Sequence, residues 1–264
     1  METEEQIVRA AKAFGNGAHI FVPKEWIGQK IFVIRQPKKS LKEKIIEAVE
    51  PALDSVVGVY LYGSHARSEE QEDSDIDLFV ITDKKIKIKK EGFEILCIEE
   101  KDMPKAIAVE PVIMYSILSE AKAIMNARLL EELRLKHKPR LSSFTDYLRD
   151  CQRVIKINEE FLESEKGSYI SGDAVVYSLM LRLRGIFIIR SLLKNKRYFH
   201  DRFKEWMSAH VRGIDFDSIY EAYRSAKKDE EMKKKVRVSD LKKLLGFLKK
   251  EVILLKDGQK RKKA

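Results

Sequence analysis

The chain of 264 residues carries 52 Lys+Arg against 42 Asp+Glu, a formal net charge of +10, and 44% of its residues are hydrophobic. This apolar content excludes a disordered chain, and the length exceeds that of a typical single domain of about 100–200 residues. Two cysteines exclude a disulfide framework, and no apolar run reaches the roughly 18–20 residues of a membrane span. We therefore expect two or three modules in a reducing, cytoplasmic compartment, without membrane attachment.

The basic excess is confined to the second half of the chain. Residues 1–139 contain 22 Lys+Arg and 24 Asp+Glu, whereas residues 140–264 contain 30 and 18. The secondary-structure pattern of the sequence changes at the same point. β-rich runs alternate with short helices before it, and helical periodicity dominates after it. The sequence predicts a slightly acidic α+β half followed by a basic helical half.

A small unit opens the chain. Two β-like runs, residues 18–22 and 30–34, flank a helical turn that begins after Pro23 and ends at Gly28. A linker follows this unit. We predict a small β-hairpin unit with its linker over residues 1–40.

The middle region, residues 41–138, is predicted to alternate helices and strands. An amphipathic helix opens it, and a helix and a strand close it. The three strand candidates between them are residues 56–62, 75–82 and 92–98. Strands interleaved with helices indicate an α+β fold, with a mixed sheet flanked by helices.

The sequence from residue 139 onward is typical of an all-α bundle, which we place at residues 139–256. The five expected helices cover residues 144–165, 173–193, 201–210, 217–226 and 239–255. Asp173 is expected to cap the second of them. Residues 257–264 are interpreted as a basic tail.

The residues that indicate chemistry lie in the middle region. Asp75 and Asp77 are two residues apart on a predicted strand and would point the same way, an arrangement tolerated chiefly when a divalent cation lies between them. Glu94 has the same alternation on the next strand and could be a third ligand. Gly63 and Ser64 end a buried strand, where the backbone and the serine hydroxyl can hold phosphate oxygens. The pattern predicts a site for in-line attack on a nucleotide phosphate.

Residues 63–78 resemble the signature of the polymerase β-like nucleotidyltransferase superfamily, in its minimal prokaryotic branch. The resemblance rests on Gly63-Ser64-x-x-Arg67 and on Asp73-Ser74-Asp75-Ile76-Asp77-Leu78, and it covers residues 41–135. It implies a short mixed sheet, a Gly-Ser turn on the triphosphate of ATP or another NTP, and two Mg²⁺ ions. Asp75, Asp77 and Glu94 would be the metal-binding and catalytic carboxylates.

The predicted bundle resembles the helical domains of kanamycin nucleotidyltransferase and of HEPN proteins. Tyr177 and Arg182 lie on its long helix and could face the nucleotide, although an internal Asp or Glu is the commoner partner for such an arginine. Arg67 has two possible roles: it could contact the triphosphate, or it could form an ion pair with Glu69 or Glu70.

Residues 15–25 resemble the swapped-hairpin DNA-binding fold of AbrB-type antitoxins or a short archaeal relative. One such hairpin is half of a barrel, so the resemblance implies a homodimer that could bind DNA through residues 1–36.

Taken together, these residues favour a Mg²⁺-dependent nucleotidyltransferase that moves an NMP, most simply AMP from ATP, to a hydroxyl or phosphate acceptor and releases pyrophosphate. The alternative is a dimeric, antitoxin-like regulatory protein that binds DNA through its N-terminal hairpin. The acceptor stays open among RNA, protein hydroxyls and small molecules, and the basic second half favours polyanions.

Overall fold

The computed structural model of the chain describes residues 5–34, 39–71 and 74–261, with side chains through residue 259. Most of the predicted linker and Asp73 of the motif lie outside the described residues. The chain divides into two compact units, Met1–Ser40 and Leu41–Ala264.

The N-terminal unit contains a short antiparallel hairpin. Strands β1 (Lys12–Phe14) and β2 (Gly17–His19) pair around a turn at Gly15, whose φ of +53° suits glycine. A 3-10 helix, Lys24–Trp26, follows. The predicted strand at residues 30–34 is wrong: this stretch is not a strand, and Phe32 is 97% exposed. Its run of β-branched and aromatic residues indicated a strand, but β2 pairs with β1 instead, and no described strand pairs with this stretch.

The second unit is built on a mixed four-stranded sheet, which confirms the three strands predicted in the middle region. Its strands are β3 (Val56–Tyr62), β4 (Ile76–Thr82), β5 (Phe93–Glu99) and β6 (Lys122–Met125), in the order β5-β4-β3-β6. Strands β4 and β5 are parallel, whereas β3 is antiparallel to both β4 and β6. Strand β5 therefore lies at one edge of the sheet.

Five helices accompany this sheet. They are α1 (Leu41–Val49), α2 (Gly63–Arg67), α3 (Met103–Val109), α4 (Pro111–Glu120) and α5 (Ala127–Lys136). Alternate strand residues point to opposite faces. On one face Val59 and Leu78 form a small cluster with Ile45 of α1, and on the other Tyr60 and Phe79 join the cores of α3 and α4. The fold is α+β, with helices on both faces of the sheet.

The remaining chain forms the five helices expected of the bundle. They are α6 (Thr145–Ser164), α7 (Ala174–Leu192), α8 (His200–His210), α9 (Phe216–Lys227) and α10 (Val238–Arg261). Two details differ from the sequence. Asp173 is at the N-cap of α7, but its side chain accepts no capping hydrogen bond. Residues 257–261, interpreted as tail, continue α10, and Gln259 Nε2 donates a 2.7 Å hydrogen bond to the Leu141 carbonyl.

A single large apolar core joins the sheet to the bundle. Tyr60 and Phe79 of the sheet, Ile117 of α4, Leu183 of α7 and Leu244 of α10 are at most 1% exposed and belong to one cluster. Within the described residues, no helix combines the length and the apolar character that crossing a membrane requires.

Candidate active site

Two acidic side chains are neighbours on the bundle-facing side of the sheet. Asp77 of β4 and Glu94 of β5 are paired in the parallel register, and adjacent strands are about 4.8 Å apart. Tyr62 of β3 is the partner of Asp77 on its other side. Burial, and then the charges of Asp77 and Glu94, raise the pKa of the Tyr62 hydroxyl. The structure therefore brings together two of the three carboxylates that the sequence indicated.

Asp75 occupies a different position. It lies one residue before the first residue of β4 and is exposed. No three His, Cys, Asp or Glu side chains of the described residues form a group that could hold a metal ion. The pairing of β4 with β5 covers Asp77 and Glu94 but not Asp75, so the role of Asp75 as a third ligand stays a prediction.

The environment of Asp77 disfavours its negative charge. Burial, and next the charge of Glu94, raise the pKa of Asp77 from its usual 3.8 to about 6. The cations of Lys227 and Arg67 act in the opposite direction without cancelling this effect. A buried carboxylate beside a second carboxylate gains stability from any cation that binds between them.

The turn after β3 holds Asp77 in place. Gly63 has a φ of +71°, and a Cβ atom at this position would collide with the carboxylate of Asp77. The backbone N–H of Gly63 donates a 3.0 Å hydrogen bond to Oε1 of Glu120. This N–H therefore already has a carboxylate acceptor. The predicted phosphate contacts, through the amides that follow Gly63 and through the hydroxyl of the half-buried Ser64, stay predictions.

Arg67 is the centre of an ion-pair network behind this turn. Its Nη1 lies 2.9 Å from both carboxylate oxygens of Glu120, which is only 3% exposed, and its Nε lies 2.7 Å from Glu69. Glu69 also accepts a 3.0 Å hydrogen bond from the backbone N–H of His200, at the start of α8. Of the two roles left open by the sequence, the structure shows the ion pair with Glu69 and adds a stronger one with Glu120.

The bundle contributes a cation and an aromatic pair near the sheet. Tyr177 of α7 stacks on Tyr223 of α9 at 5.6 Å between ring centroids. Lys227 is one turn beyond Tyr223, on the same side of α9, and its charge reaches Asp77. Arg182 instead forms a 2.9 Å ion pair with Asp150 of α6, which is the alternative that the sequence left open.

Two of these residues were missed by the sequence-based interpretation. Glu120 ends a helix that is otherwise apolar and contains no other charged residue, and a buried acid in such a setting requires a partner. The sequence therefore contained a signal for Glu120. Lys227 is 150 residues from Asp77 in a lysine-rich region, and no local pattern distinguishes it from its neighbours.

The carboxylate pair fits Mg²⁺. Magnesium prefers oxygen ligands and is usually held by one or two carboxylates together with substrate phosphates, not by a complete protein cage. Asp77 and Glu94 supply two such groups at one point of the sheet, and the raised pKa of Asp77, caused first by burial and next by the charge of Glu94, shows that a cation there would be favourable.

Gly63→Ala is expected to destabilise the protein by about 2 kcal/mol or more and to lower its activity. An alanine at positive φ costs about 1–2 kcal/mol, and its Cβ would in addition push the Asp77 carboxylate aside. Urea unfolding would measure the stability loss.

Gly92→Ala is the matched control. Gly92 has nearly the same φ, +73°, but a Cβ there meets no atom within 4 Å. The control should lose only the backbone contribution, so equal losses in the two variants would contradict the close approach of Asp77 to Gly63.

Two family models match parts of the chain. Residues 43–128 match the family model described as polymerase beta, nucleotidyltransferase, and residues 2–34 match the one described as putative transposon-encoded protein (DUF2080). No curated protein matches the chain. Among solved structures, the chain is similar to spectinomycin adenyltransferase AAD(9) from Enterococcus faecialis with ATP and spectinomycin. The identity is 14% and the TM-score 0.43, over 79% of this chain and 95% of that one.

The family-model match makes the protein a nucleotidyltransferase, and the mixed sheet, its glycine turn and its carboxylates on adjacent strands lie within the matched residues. More narrowly, residues 43–128 are a nucleotidyltransferase domain of the polymerase β family.

Proposed function

We propose that this enzyme uses Mg²⁺ to transfer an NMP, most simply AMP from ATP, to a hydroxyl or phosphate oxygen of an acceptor in the cytoplasm. Pyrophosphate is the second product. The observation that carries the proposal is the pairing of Asp77 with Glu94 on adjacent parallel strands, beside a turn in which only glycine leaves room for Asp77. This arrangement provides oxygen ligands for a cation at a fixed distance from a turn that can receive phosphates.

Bound Mg²⁺ would neutralise the charge of the triphosphate and of the transition state. Asp77 and Glu94 would hold it, with Asp75 available from the exposed residue before β4. The carboxylate of Asp77 lies against Gly63, and Tyr62 is the cross-strand partner of Asp77, so the close packing would orient the carboxylate before the nucleotide binds.

In the proposed reaction, an acceptor oxygen forms a bond to the α-phosphorus while the bond from that phosphorus to the bridging oxygen of pyrophosphate breaks. Glu94 is exposed on the edge strand β5 and would take the proton of an acceptor hydroxyl. Lys227 would balance the negative charge of the departing pyrophosphate, and the Ser64 hydroxyl would donate to its oxygens. Tyr177 lies on the wall where the base of the nucleotide could stack.

Arg67 would act through other residues in this scheme. Its contacts with Glu120 and Glu69 fix α2, and therefore the glycine turn, relative to the bundle. It is a positioning residue, and its guanidinium would not need to touch the triphosphate.

The test is incubation of the protein with each α-³²P-labelled NTP and Mg²⁺, with RNA, protein and small-molecule acceptors in separate reactions. We expect label on one acceptor class, with pyrophosphate release that Asp77→Asn does not support. No labelled acceptor, and no pyrophosphate above the level of that variant, would contradict the proposal.

We further propose that the N-terminal unit forms a homodimer that binds DNA, as a second function beside the enzyme. The unit leaves large apolar side chains exposed, among them Phe14 at 73%, Phe21 at 68% and Phe32 at 97%. Exposed apolar surface of this kind is covered in a stable protein by a partner, and a second copy of the hairpin is the simplest one.

Removal of residues 1–38 tests this second proposal. The truncated chain should be monomeric by light scattering, and a salt-dependent, sequence-selective gel shift of the full chain should be lost. A truncated chain that remains dimeric would overturn the proposed dimer, and a full chain that shifts no DNA would overturn the DNA-binding role.

A further inference from the structure

A run of lysines connects the two strands that carry the carboxylates. Residues 84–90, here called the lysine segment, lie between β4 and β5. They contain Lys84, Lys85, Lys87, Lys89 and Lys90. All five lysines are exposed, and the two residues between them, Ile86 and Ile88, are half-buried.

The isoleucines fix the direction of the lysines. Ile88 packs against the small core cluster on the α1 face of the sheet, together with Phe93 and Ile95 of β5. Exposure alternates from Lys85 to Lys89, as it does in extended chain, so that alternate side chains lie about 6.6 Å apart on the same side. Lys85, Lys87 and Lys89 therefore form an ordered line of positive charge.

This line ends beside the candidate active site. A groove of about 530 Å³ is lined by Lys87, Lys89, Lys90, Phe93 and Glu94, among others. Glu94 is the carboxylate that pairs with Asp77, so it is a residue that the groove shares with the candidate active site, at the edge of the sheet. A molecule bound along the lysines would have one end at Glu94.

Most lysines of the segment have no acidic ion-pair partner among the described residues. Lys90 lies 3.6 Å from Glu47, whereas Lys85, Lys87 and Lys89 form no ion pair with any described residue. The acidic residues within or next to the segment are Asp83 and Glu91. The groove is therefore a cationic strip that retains its attraction for an anion.

We propose that the lysine segment binds the backbone of a single-stranded nucleic acid whose 3′ end is the acceptor. This inference rests on the proposed nucleotidyl transfer. A regular line of cations suits a chain of phosphates, and the half-exposed ring of Phe93 offers a surface on which a base can stack. A neutral small acceptor would not use the cations, and a membrane surface would require the isoleucines to point outward.

The transfer then follows directly. The terminal 3′-hydroxyl gives its proton to Glu94, its oxygen bonds to the α-phosphorus of the NTP, and pyrophosphate leaves. The product is a strand one nucleotide longer, and no further reactant is needed.

The experiment compares two triple variants of the full chain by fluorescence anisotropy. The probe is a labelled single-stranded RNA of about 12 nucleotides, within the usual site size. Lys85→Gln/Lys87→Gln/Lys89→Gln should weaken RNA binding at least about tenfold and reduce the slope of log K against log salt by about 2, since each phosphate contact contributes about 0.7. Lys233→Gln/Lys234→Gln/Lys235→Gln removes the same charge from exposed lysines elsewhere and should change the affinity less than about threefold.

Equal effects of the two triple variants, or displacement of the RNA by polyglutamate at the same charge concentration, would overturn the proposal. ATP binding, measured by calorimetry, should be the same in both triple variants.

Asp77→Asn separates this inference from the proposed function, because it should bind the RNA normally without extending it. RNA binding through the lysines without transfer to any acceptor would refute the proposed nucleotidyl transfer but not the proposed RNA-binding surface. Transfer to a small molecule without RNA binding would refute the proposed RNA-binding surface.

Discussion

Asp77→Asn is expected to abolish nucleotidyl transfer and, at neutral pH without metal, to make the protein more stable. A metal-binding carboxylate contributes several kcal/mol of transition-state stabilisation, so its loss should lower the rate at least about 100-fold. The stability change has the opposite sign because burial, and next the charge of Glu94, raise the pKa of this carboxyl to about 6 in the folded state. The neutral amide avoids both the cost of burying a charge and the repulsion, and we expect a gain of about 1–2 kcal/mol.

The stability gain of Asp77→Asn should decrease as the pH falls. The carboxyl of Asp77 binds its proton more tightly in the folded than in the unfolded protein, so the cost of ionising it is complete above about pH 6. As the pH falls towards 4, the wild-type carboxyl becomes protonated and the advantage of the amide disappears. Melting temperatures of both proteins in EDTA, from pH 4 to 8, would measure this convergence.

Two controls accompany this variant. Asp75→Asn changes an exposed carboxylate and should alter stability by less than about 0.5 kcal/mol. Added Mg²⁺ should raise the melting temperature of the wild type more than that of Asp77→Asn. A variant that is less stable than the wild type at pH 8 in EDTA, or that retains transfer, would contradict the assigned role.

Glu120→Ala is expected to cause the largest loss of stability of any single substitution near the site, about 3–5 kcal/mol. The buried guanidinium of Arg67 would lose its bidentate partner, and the N–H of Gly63 would lose its acceptor. Glu120→Gln keeps an acceptor for Gly63 but removes the charge, so we expect an intermediate loss. Equilibrium unfolding in urea would measure all three proteins.

A double variant tests whether the pair itself is the cause. Arg67→Met/Glu120→Met replaces both charges with apolar side chains, and it should be more stable than the sum of the two single losses predicts. Strictly additive losses, or a loss below about 1 kcal/mol in Glu120→Ala, would refute a buried ion pair at this position.

The sequence was most informative where local periodicity is enforced by a buried sheet. The two-residue alternation placed Glu94 on the same side as Asp77, and the register of β4 and β5 confirms that they are neighbours. Helical periodicity likewise located the five bundle helices to within a few residues. In both cases the pattern and the structure depend on the same apolar face.

Contacts between distant parts of the chain could not be predicted in this way. The hydrogen bond from Gly63 to Glu120 spans 57 residues, and the effect of Lys227 on Asp77 spans 150. Asp75 illustrates a different difficulty. The sequence predicted it on the same strand as Asp77, whereas β4 begins one residue later, and its predicted role as a metal ligand stays a prediction. Residues 30–34 have a strand-like run of β-branched and aromatic residues, but no described strand pairs with them.

The shared apolar core has a mechanical consequence for catalysis. Tyr60 of the sheet and Leu183 of α7 belong to the same fully buried cluster. The sheet and the bundle therefore cannot move apart as rigid bodies without exposing that cluster to water. Any opening of the candidate site must therefore come from side chains and connecting loops, with the backbone frame essentially fixed. For the same reason, a fragment ending near residue 138 would expose the part of the shared core that the bundle covers.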